Sequence, residues 1–115
     1  MIPAGVEIFV AVAPIDLRWG FDRLAGVANE QLGRNARSGA LLVFFGKRRS
    51  AVKVLFFDGS GMCLFYKRLD SGTFRIPQAL RPDSTSIELS ERELDDLLDG
   101  IDVEPDPAPR RGRVH

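Results

Sequence analysis

The stretch that decides the fold is residues 40–69, which read ALLVFFGKRRSAVKVLFFDGSGMCLFYKRL. Three apolar runs lie within it, at 40–46, 51–58 and 62–69, and connectors of hairpin length join them at 47–50 and 58–61. The second connector, Asp-Gly-Ser-Gly, consists of residue types that favour turns. The stretch therefore predicts three antiparallel strands in a meander.

Further strands are predicted on either side of this meander. Residues 5–12 are rich in β-branched side chains, a run at 73–76 follows a turn and is closed by Pro77, and residues 85–89 read as a last strand. The predicted fold is α+β, an antiparallel β-meander of about five strands. Because these strands are apolar on both faces, the sheet needs a covering layer on each side.

Two helices are predicted to pack on the sheet. In the N-terminal helix Asp16 is the expected cap, Gly33 the stop, and one apolar stripe comprises Leu17, Phe21, Leu24, Ala28 and Leu32. In a short C-terminal helix, Ser90 and Glu93 have the spacing of a capping box. Its predicted buried stripe is Leu94, Leu97, Leu98 and Ile101. The first helix can cover one face, and the second helix or another subunit the other.

The length and composition predict one folded unit. Residues 1–102 are expected to form a single α+β domain, and the Pro- and Arg-rich residues 103–115 a disordered tail. The single cysteine, Cys63, excludes an internal disulfide and is expected in the core. No apolar run reaches the length of a membrane span and no secretory signal is evident, so a cytoplasmic protein without membrane contact is expected.

The formal net charge of zero conceals a segregation of charge along the chain. Residues 1–81 carry 12 Lys and Arg against six Asp and Glu, whereas residues 82–109 carry 10 acidic residues against Arg92. The last six residues add three arginines. A basic body is therefore followed by an acidic segment, and the regional charge is more informative than the total.

Hairpin register places the body's cations at one end of the meander. A tight turn at 47–50 puts Phe44 opposite Lys53, and a turn at 59–60 puts Val52 opposite Lys67. The cations expected at this end are Lys47, Arg48, Arg49, Lys53, Lys67 and Arg68, with Arg75 nearby and with Tyr66 and Phe74 interleaved. Such a cluster suits phosphate contacts and a stacked base. The alternative is that these cations are only solvated side chains along a sheet edge, where they prevent pairing with another strand.

Arg18 and Trp19 lie in the first predicted helical turn. A cation there opposes the helix dipole, so Arg18 is either an ion-pair partner of Asp16 or Asp22 or a residue placed for a ligand. Trp19 lies off the apolar stripe, where it either covers the sheet or forms part of an interface.

Signals for chemistry are absent from the sequence. The acidic residues of the body are scattered over different elements, whereas metal-dependent nucleases need converging carboxylates. Asp58 is better explained as a turn residue, and the single histidine, His115, ends the predicted tail. No phosphate-binding glycine motif is present. We therefore expect no enzymatic activity, no metal and no cofactor.

Several segments resemble a known family. Residues 16–24, DLRWGFDRL, resemble its opening motif D-[ML]-R-K-x-F-D-x-L, and the segments KVLFFDGSG (53–61), CLFYKRL (63–69) and GTFRIP (72–77) resemble its central block. The family is that of the TnpB-type accessory proteins, the second-reading-frame products of a large class of bacterial insertion sequences. They are unrelated to the RNA-guided nuclease that shares the name. The similarity spans roughly residues 6–101.

The resemblance implies a role in DNA transposition beside a separate transposase, with no catalytic residues in the accessory protein itself. The signature cations carried over are Arg18, Lys53, Lys67, Arg68 and Arg75. Trp19 replaces a usual lysine, and Phe56-Phe57 replaces a usual Tyr-Trp pair. Two hypotheses follow: DNA binding through the basic end of the sheet, with the ends of the insertion sequence as target, or a protein adaptor that docks on the transposase. A second copy of the chain is a further candidate partner.

Overall fold

The computed structural model describes residues 5–76 and 83–100, which fold around one mixed five-stranded sheet. Its strands are β1 (Ile8–Ala11), β2 (Leu41–Phe45), β3 (Ala51–Phe57), β4 (Met62–Arg68) and β5 (Ser86–Leu89). Their order across the sheet is β4-β3-β2-β1-β5. The helices are α1 (Phe21–Val27), which continues into a π-helical turn at Ala28–Leu32, and α2 (Glu91–Leu98); a 3₁₀ turn spans Ala36–Ser38.

The sheet is not a meander throughout, contrary to the sequence prediction. Strands β2, β3 and β4 form the predicted antiparallel meander, but β1 lies between β2 and β5 and runs parallel to β2. All four residues of β1 are buried, as expected of a central strand covered on both faces. The parallel pair needs a crossover, and α1 with its π-helical turn lies within that connection.

The other strand predictions had mixed outcomes. Strand β5 confirms the strand predicted at 85–89, but residues 73–76 form no strand. Phe74 in that segment is instead buried, with its ring centroid 5.5 Å from that of Phe45. Its backbone N–H donates to the Arg49 carbonyl at 2.7 Å, which fixes the segment to the turn between β2 and β3. Burial of the Phe74 ring and this backbone hydrogen bond attach the segment to the sheet without a strand ladder.

The N-terminal helix begins later than predicted. Its N-cap is Gly20, so the expected capping role of Asp16 is wrong. The chain turns first, because the Trp19 N–H donates to the Asp16 carbonyl at 3.0 Å while the Asp16 carboxylate accepts from the Arg18 N–H at 2.9 Å. The helical path ends, as predicted, at Gly33, which has a φ of 63°.

The C-terminal helix begins with the predicted capping box. The Ser90 hydroxyl accepts from the Glu93 N–H at 3.1 Å, and the Glu93 carboxylate accepts from the Ser90 N–H at 2.8 Å. Leu94 and Leu97 are buried beneath it. The predicted end of its stripe at Ile101, and the predicted tail at 103–115, lie outside the described residues.

Each face of the sheet has its own core layer, as the two-sided apolar strands predict. The α1 face carries the buried residues Phe9, Leu24, Val27, Ala28, Leu32, Leu42, Phe44 and Leu55. The α2 face carries Ile8, Val10, Val43, Phe45, Val52, Val54, Phe74, Ile87, Leu89, Leu94 and Leu97. The two helices of the chain therefore supply the two covers.

Candidate nucleic-acid interface

The turn between β2 and β3 presents three consecutive cations to solvent. Lys47, Arg48 and Arg49 are all exposed, and the Arg49 N–H donates to the Gly46 carbonyl at 3.1 Å to close the turn. Arg49 has a φ of 57°, in the left-handed region that residues other than glycine seldom occupy. Its carbonyl accepts the bond from Phe74, so the core holds this strained residue in place. Among the described residues, none forms an ion pair with these three side chains.

A groove of about 600 Å³ opens beside this turn. Its lining combines apolar residues with one serine, one carboxylate and four cations: Pro14, Ile15, Asp16, Leu17, Gly46, Lys47, Arg48, Arg49, Ser50, Ala51, Arg68 and Leu69. Gly46 allows the close approach of Leu17, because a Cβ there would lie 2.7 Å from the Leu17 Cδ1. We call Lys47, Arg48, Arg49 and Arg68 the basic rim.

The predicted register is confirmed, with Phe44 paired to Lys53 and Val52 to Lys67. The two lysines nevertheless lie on opposite faces, and each donates to a backbone carbonyl. Lys53 Nζ is 2.8 Å from the Trp19 oxygen on the α1 face, and Lys67 Nζ is 2.7 Å from the Leu98 oxygen at the end of α2. Both lysines are half-buried. They connect the sheet to its two covering layers, a role that the sequence did not indicate.

Cations and aromatic rings alternate across the α1 face toward the free edge of β4. The Arg23 guanidinium lies 4.6 Å from the Trp19 ring centroid, and Lys53 Nζ lies 5.5 Å from that of Tyr66. Arg68 Nη2 donates to the Tyr66 hydroxyl at 3.2 Å. We call these five residues the cation–aromatic row. Arg23 was missed in the sequence analysis, although in the predicted helix, which included Trp19, a position four residues later lies on the same side.

Arg18 forms an ion pair, one of the two alternatives for this residue. Its Nη2 lies 2.7 Å from Asp16 Oδ2, while its own side chain is 90% exposed. The hydrogen bonds from Arg18 lower the pKa of Asp16 from 3.8 to about 2. Because Asp16 lines the groove, this pair lies beside the basic rim with most of the guanidinium accessible.

Phe74 and Arg75 differ in exposure although they are neighbours. Phe74 is buried, so it offers no ring for base stacking, contrary to its predicted place among the cations. Arg75 is exposed and follows the residue bonded to the Arg49 carbonyl, so its backbone lies near the turn. Tyr66, with 48% exposure, is the accessible aromatic ring close to the rim.

The opposite end of the β3–β4 hairpin carries Asp58, which is the predicted turn residue. Its Oδ1 accepts from the N–H groups of Ser60 and Gly61, each at 2.9 Å, and these bonds lower its pKa from 3.8 to about 2. Cys63 nearby is half-buried on β4 and not in the core as predicted. Desolvation raises the pKa of its thiol, which disfavours the nucleophilic thiolate.

Neither a metal-binding cluster nor a membrane-spanning helix occurs among the described residues. No group of three or more His, Cys, Asp and Glu side chains in residues 5–76 and 83–100 is arranged to hold a metal ion. Within the same ranges, no helix has the length and apolar character needed to cross a membrane.

The fold and the site together define a small α+β protein with a basic rim at one end of a two-sided sheet. The model of the family described as IS66 Orf2 like protein matches residues 6–107, and the chain belongs to this family of insertion-sequence accessory proteins. This confirms the resemblance found in the sequence.

Two curated relatives come from Sinorhizobium fredii (strain NBRC 101917 / NGR234). Uncharacterized protein y4hO is 42% identical over 104 residues, covering 89% of this chain and 88% of the relative. Uncharacterized protein y4jC is 32% identical over 113 residues, covering 96% and 94%. No solved structure gives a significant match.

Proposed function

We propose that this accessory protein assists transposition by binding DNA at the ends of its insertion sequence, with the basic rim on the phosphates. The observation that carries the proposal is the turn at 47–49, where three adjacent exposed cations have no ion-pair partner among the described residues. Family membership supports the link to transposition. The role is one of binding rather than catalysis, and the transposase carries out the chemistry.

The shape of the site supports phosphate contacts over simple solvation. Cations that only protect a sheet edge would lie along an edge strand, whereas Lys47, Arg48 and Arg49 lie on a turn between two paired strands. Arg18 adds a fifth accessible cation beside the groove. Tyr66, whose hydroxyl accepts from Arg68, places an exposed ring next to this surface, where an unpaired base can stack.

The first test is binding of the protein to a duplex from the element's terminal repeat and to a random duplex, over a series of salt concentrations. Four cations that each neutralise one phosphate give a log–log slope of roughly −3 to −4. Salt-independent binding, or none at low salt, contradicts the proposal.

A matched pair of variants localises the binding. Arg48→Gln is expected to weaken binding to both duplexes and to reduce the salt slope by about 1. Arg37→Gln removes another exposed arginine, from the 3₁₀ turn before β2, at the other end of that strand. It is expected to leave affinity and slope unchanged. Equal losses in the two variants would show that only total charge matters.

An adaptor role is the second candidate, and the charge of α2 favours it. The solvent side of this helix carries Asp95, followed by Asp99 at its end, and both are exposed. Such a surface suits a basic patch on the transposase. If the adaptor role holds, a complex with the transposase survives Arg48→Gln and is lost in Asp95→Lys. Duplex binding that weakens in Arg48→Gln and is unchanged in Asp95→Lys supports the DNA-binding role.

A further inference from the structure

The outer edge of β4 is unpaired within the described part of the chain. The strand is seven residues long, contains no proline, and has β3 as its single neighbour. The other edge strand, β5, has four residues. Long, regular and apolar edges are prone to pair with another strand, and proteins usually protect them.

The backbone groups that face outward can be identified from the ladder. Leu69 N–H donates to the Ser50 carbonyl and Asp58 N–H to the Gly61 carbonyl, so both of these antiparallel pairs are hydrogen-bonded. Because hydrogen-bonded and non-hydrogen-bonded pairs alternate, Cys63, Phe65 and Lys67 bond to β3. The N–H and C=O groups directed away from the sheet belong to Met62, Leu64, Tyr66 and Arg68.

The side chains at this edge are incompletely covered. Met62, Cys63, Leu64 and Phe65 are four consecutive half-buried residues, with Leu64 on the α1 face and Phe65 on the α2 face. The cations that could protect the edge lie at its far end. Lys67 is directed to the Leu98 carbonyl and Arg68 to the Tyr66 hydroxyl, so neither protects Met62–Phe65.

We propose that β4 pairs antiparallel with β4 of a second copy, joining two sheets into one of ten strands. One register uses all four outward residues: Met62 opposite Arg68 and Leu64 opposite Tyr66, each pair occurring twice about a two-fold axis. Phe65 of one copy then lies opposite Phe65 of the other in a close, non-hydrogen-bonded pair, where aromatic side chains stabilise one another.

Charge also favours a second copy as the partner. The antiparallel register brings the end with Arg68 next to the end that carries the Asp58 turn, so opposite charges approach one another at both ends. Asp58 is exposed and carries its charge at neutral pH, as aspartate side chains ordinarily do. The formal net charge of the chain is zero, so two copies meet no overall repulsion.

The first experiment follows the unmodified chain by sedimentation and by hydrogen exchange over a range of protein concentrations. The mass is expected to rise from 12.7 kDa to twice that value. In the dimer, the amides of Leu64 and Tyr66 become protected, while those of Phe65 and Lys67 are protected in both states. A monomer at every concentration, or a dimer in which the Leu64 and Tyr66 amides still exchange freely, overturns the proposal.

Two variants test the edge and the register. Tyr66→Pro removes an N–H that points away from the sheet and that β3 does not use. The variant is therefore expected to keep the circular dichroism spectrum of the folded chain but to lose the dimer. In a Cys63→Ser background, Phe65→Cys is expected to form an intermolecular disulfide under mild oxidation. The native Cys63 is not expected to form an intermolecular disulfide, because the register places it opposite Lys67. A dimer that survives Tyr66→Pro, or cross-linking through Cys63 alone, contradicts the proposal.

Discussion

At the scale of single residues, Arg49 combines a strained backbone with an exposed charge. Its left-handed φ of 57° costs a residue with a Cβ roughly 1 kcal/mol or more. Glycine has no such cost, so Arg49→Gly is expected to keep or raise stability while weakening DNA binding. Arg49→Ala removes the same charge but keeps the strain. The two variants should therefore bind DNA equally poorly and differ in urea midpoint, and unequal binding would show that the turn's conformation matters more than its charge.

Lys67 and Lys47 are expected to differ in the property that each supports. Lys67 Nζ binds the Leu98 carbonyl at the C-terminus of α2, where a cation also meets the negative end of the helix dipole. Lys67→Met keeps the aliphatic stem and should lower the free energy of unfolding by about 1–2 kcal/mol. Lys47→Met, at the exposed turn, should change it by less than about 0.5 kcal/mol but weaken DNA binding. Denaturant unfolding and DNA titration of both variants distinguish the two roles. If Lys67→Met is as stable as the unmodified chain but fails to bind DNA, Lys67 contacts phosphate, as the sequence predicted.

The limits of sequence reasoning are visible at Lys53 and Lys67. Their cross-strand neighbours were predicted correctly from the turn lengths, because hairpin register is a local property. Their polar partners, Trp19 and Leu98, are 34 and 31 residues away along the chain. No local pattern reveals such contacts, so two structural lysines were grouped with the exposed cations of the turn.

At the scale of elements, sequence motifs correctly predicted those features that depend on residues close together in the chain. The capping box and both hairpins were predictable, because each depends on residues a few positions apart. The position of β1 was not, because its pairing with β2 and β5 depends on long-range packing. The strand predicted at 73–76 was wrong, because burial of Phe74, rather than hydrogen bonding to a neighbouring strand, fixes this segment.

The capping box predicts a measurable contribution to stability. Ser90→Ala removes the acceptor for the Glu93 N–H and should cost about 1 kcal/mol. In a domain of this size that corresponds to a decrease in Tm of roughly 4–8 °C. Ser71→Ala, an exposed serine outside the helices and strands, is the control and should leave Tm unchanged. A similar decrease in both variants would show that the box contributes nothing specific.

At the scale of the whole molecule, the acidic C-terminal part is integral to the core. Strand β5 and helix α2 contribute Ile87, Leu89, Leu94 and Leu97, all buried. A chain ending at residue 82 is therefore expected to lose cooperative unfolding and near-ultraviolet circular dichroism. A chain ending at residue 102 should retain both, in accord with the predicted domain boundary. Cooperative unfolding of the shorter chain would mean that β1 to β4 form an independent unit.

The order of strands also has a consequence for synthesis of the protein in the cell. Strand β1 is made first, yet its pairing with β5 joins Ile8 to Leu89. At about 5–20 residues per second, the ribosome needs several seconds to add the residues between β2 and α2. During that time the α1 face can assemble on β1 to β4, while the other face and one edge of β1 stay open. Each nascent chain therefore passes through a stage at which chaperones or a neighbouring nascent chain can bind it.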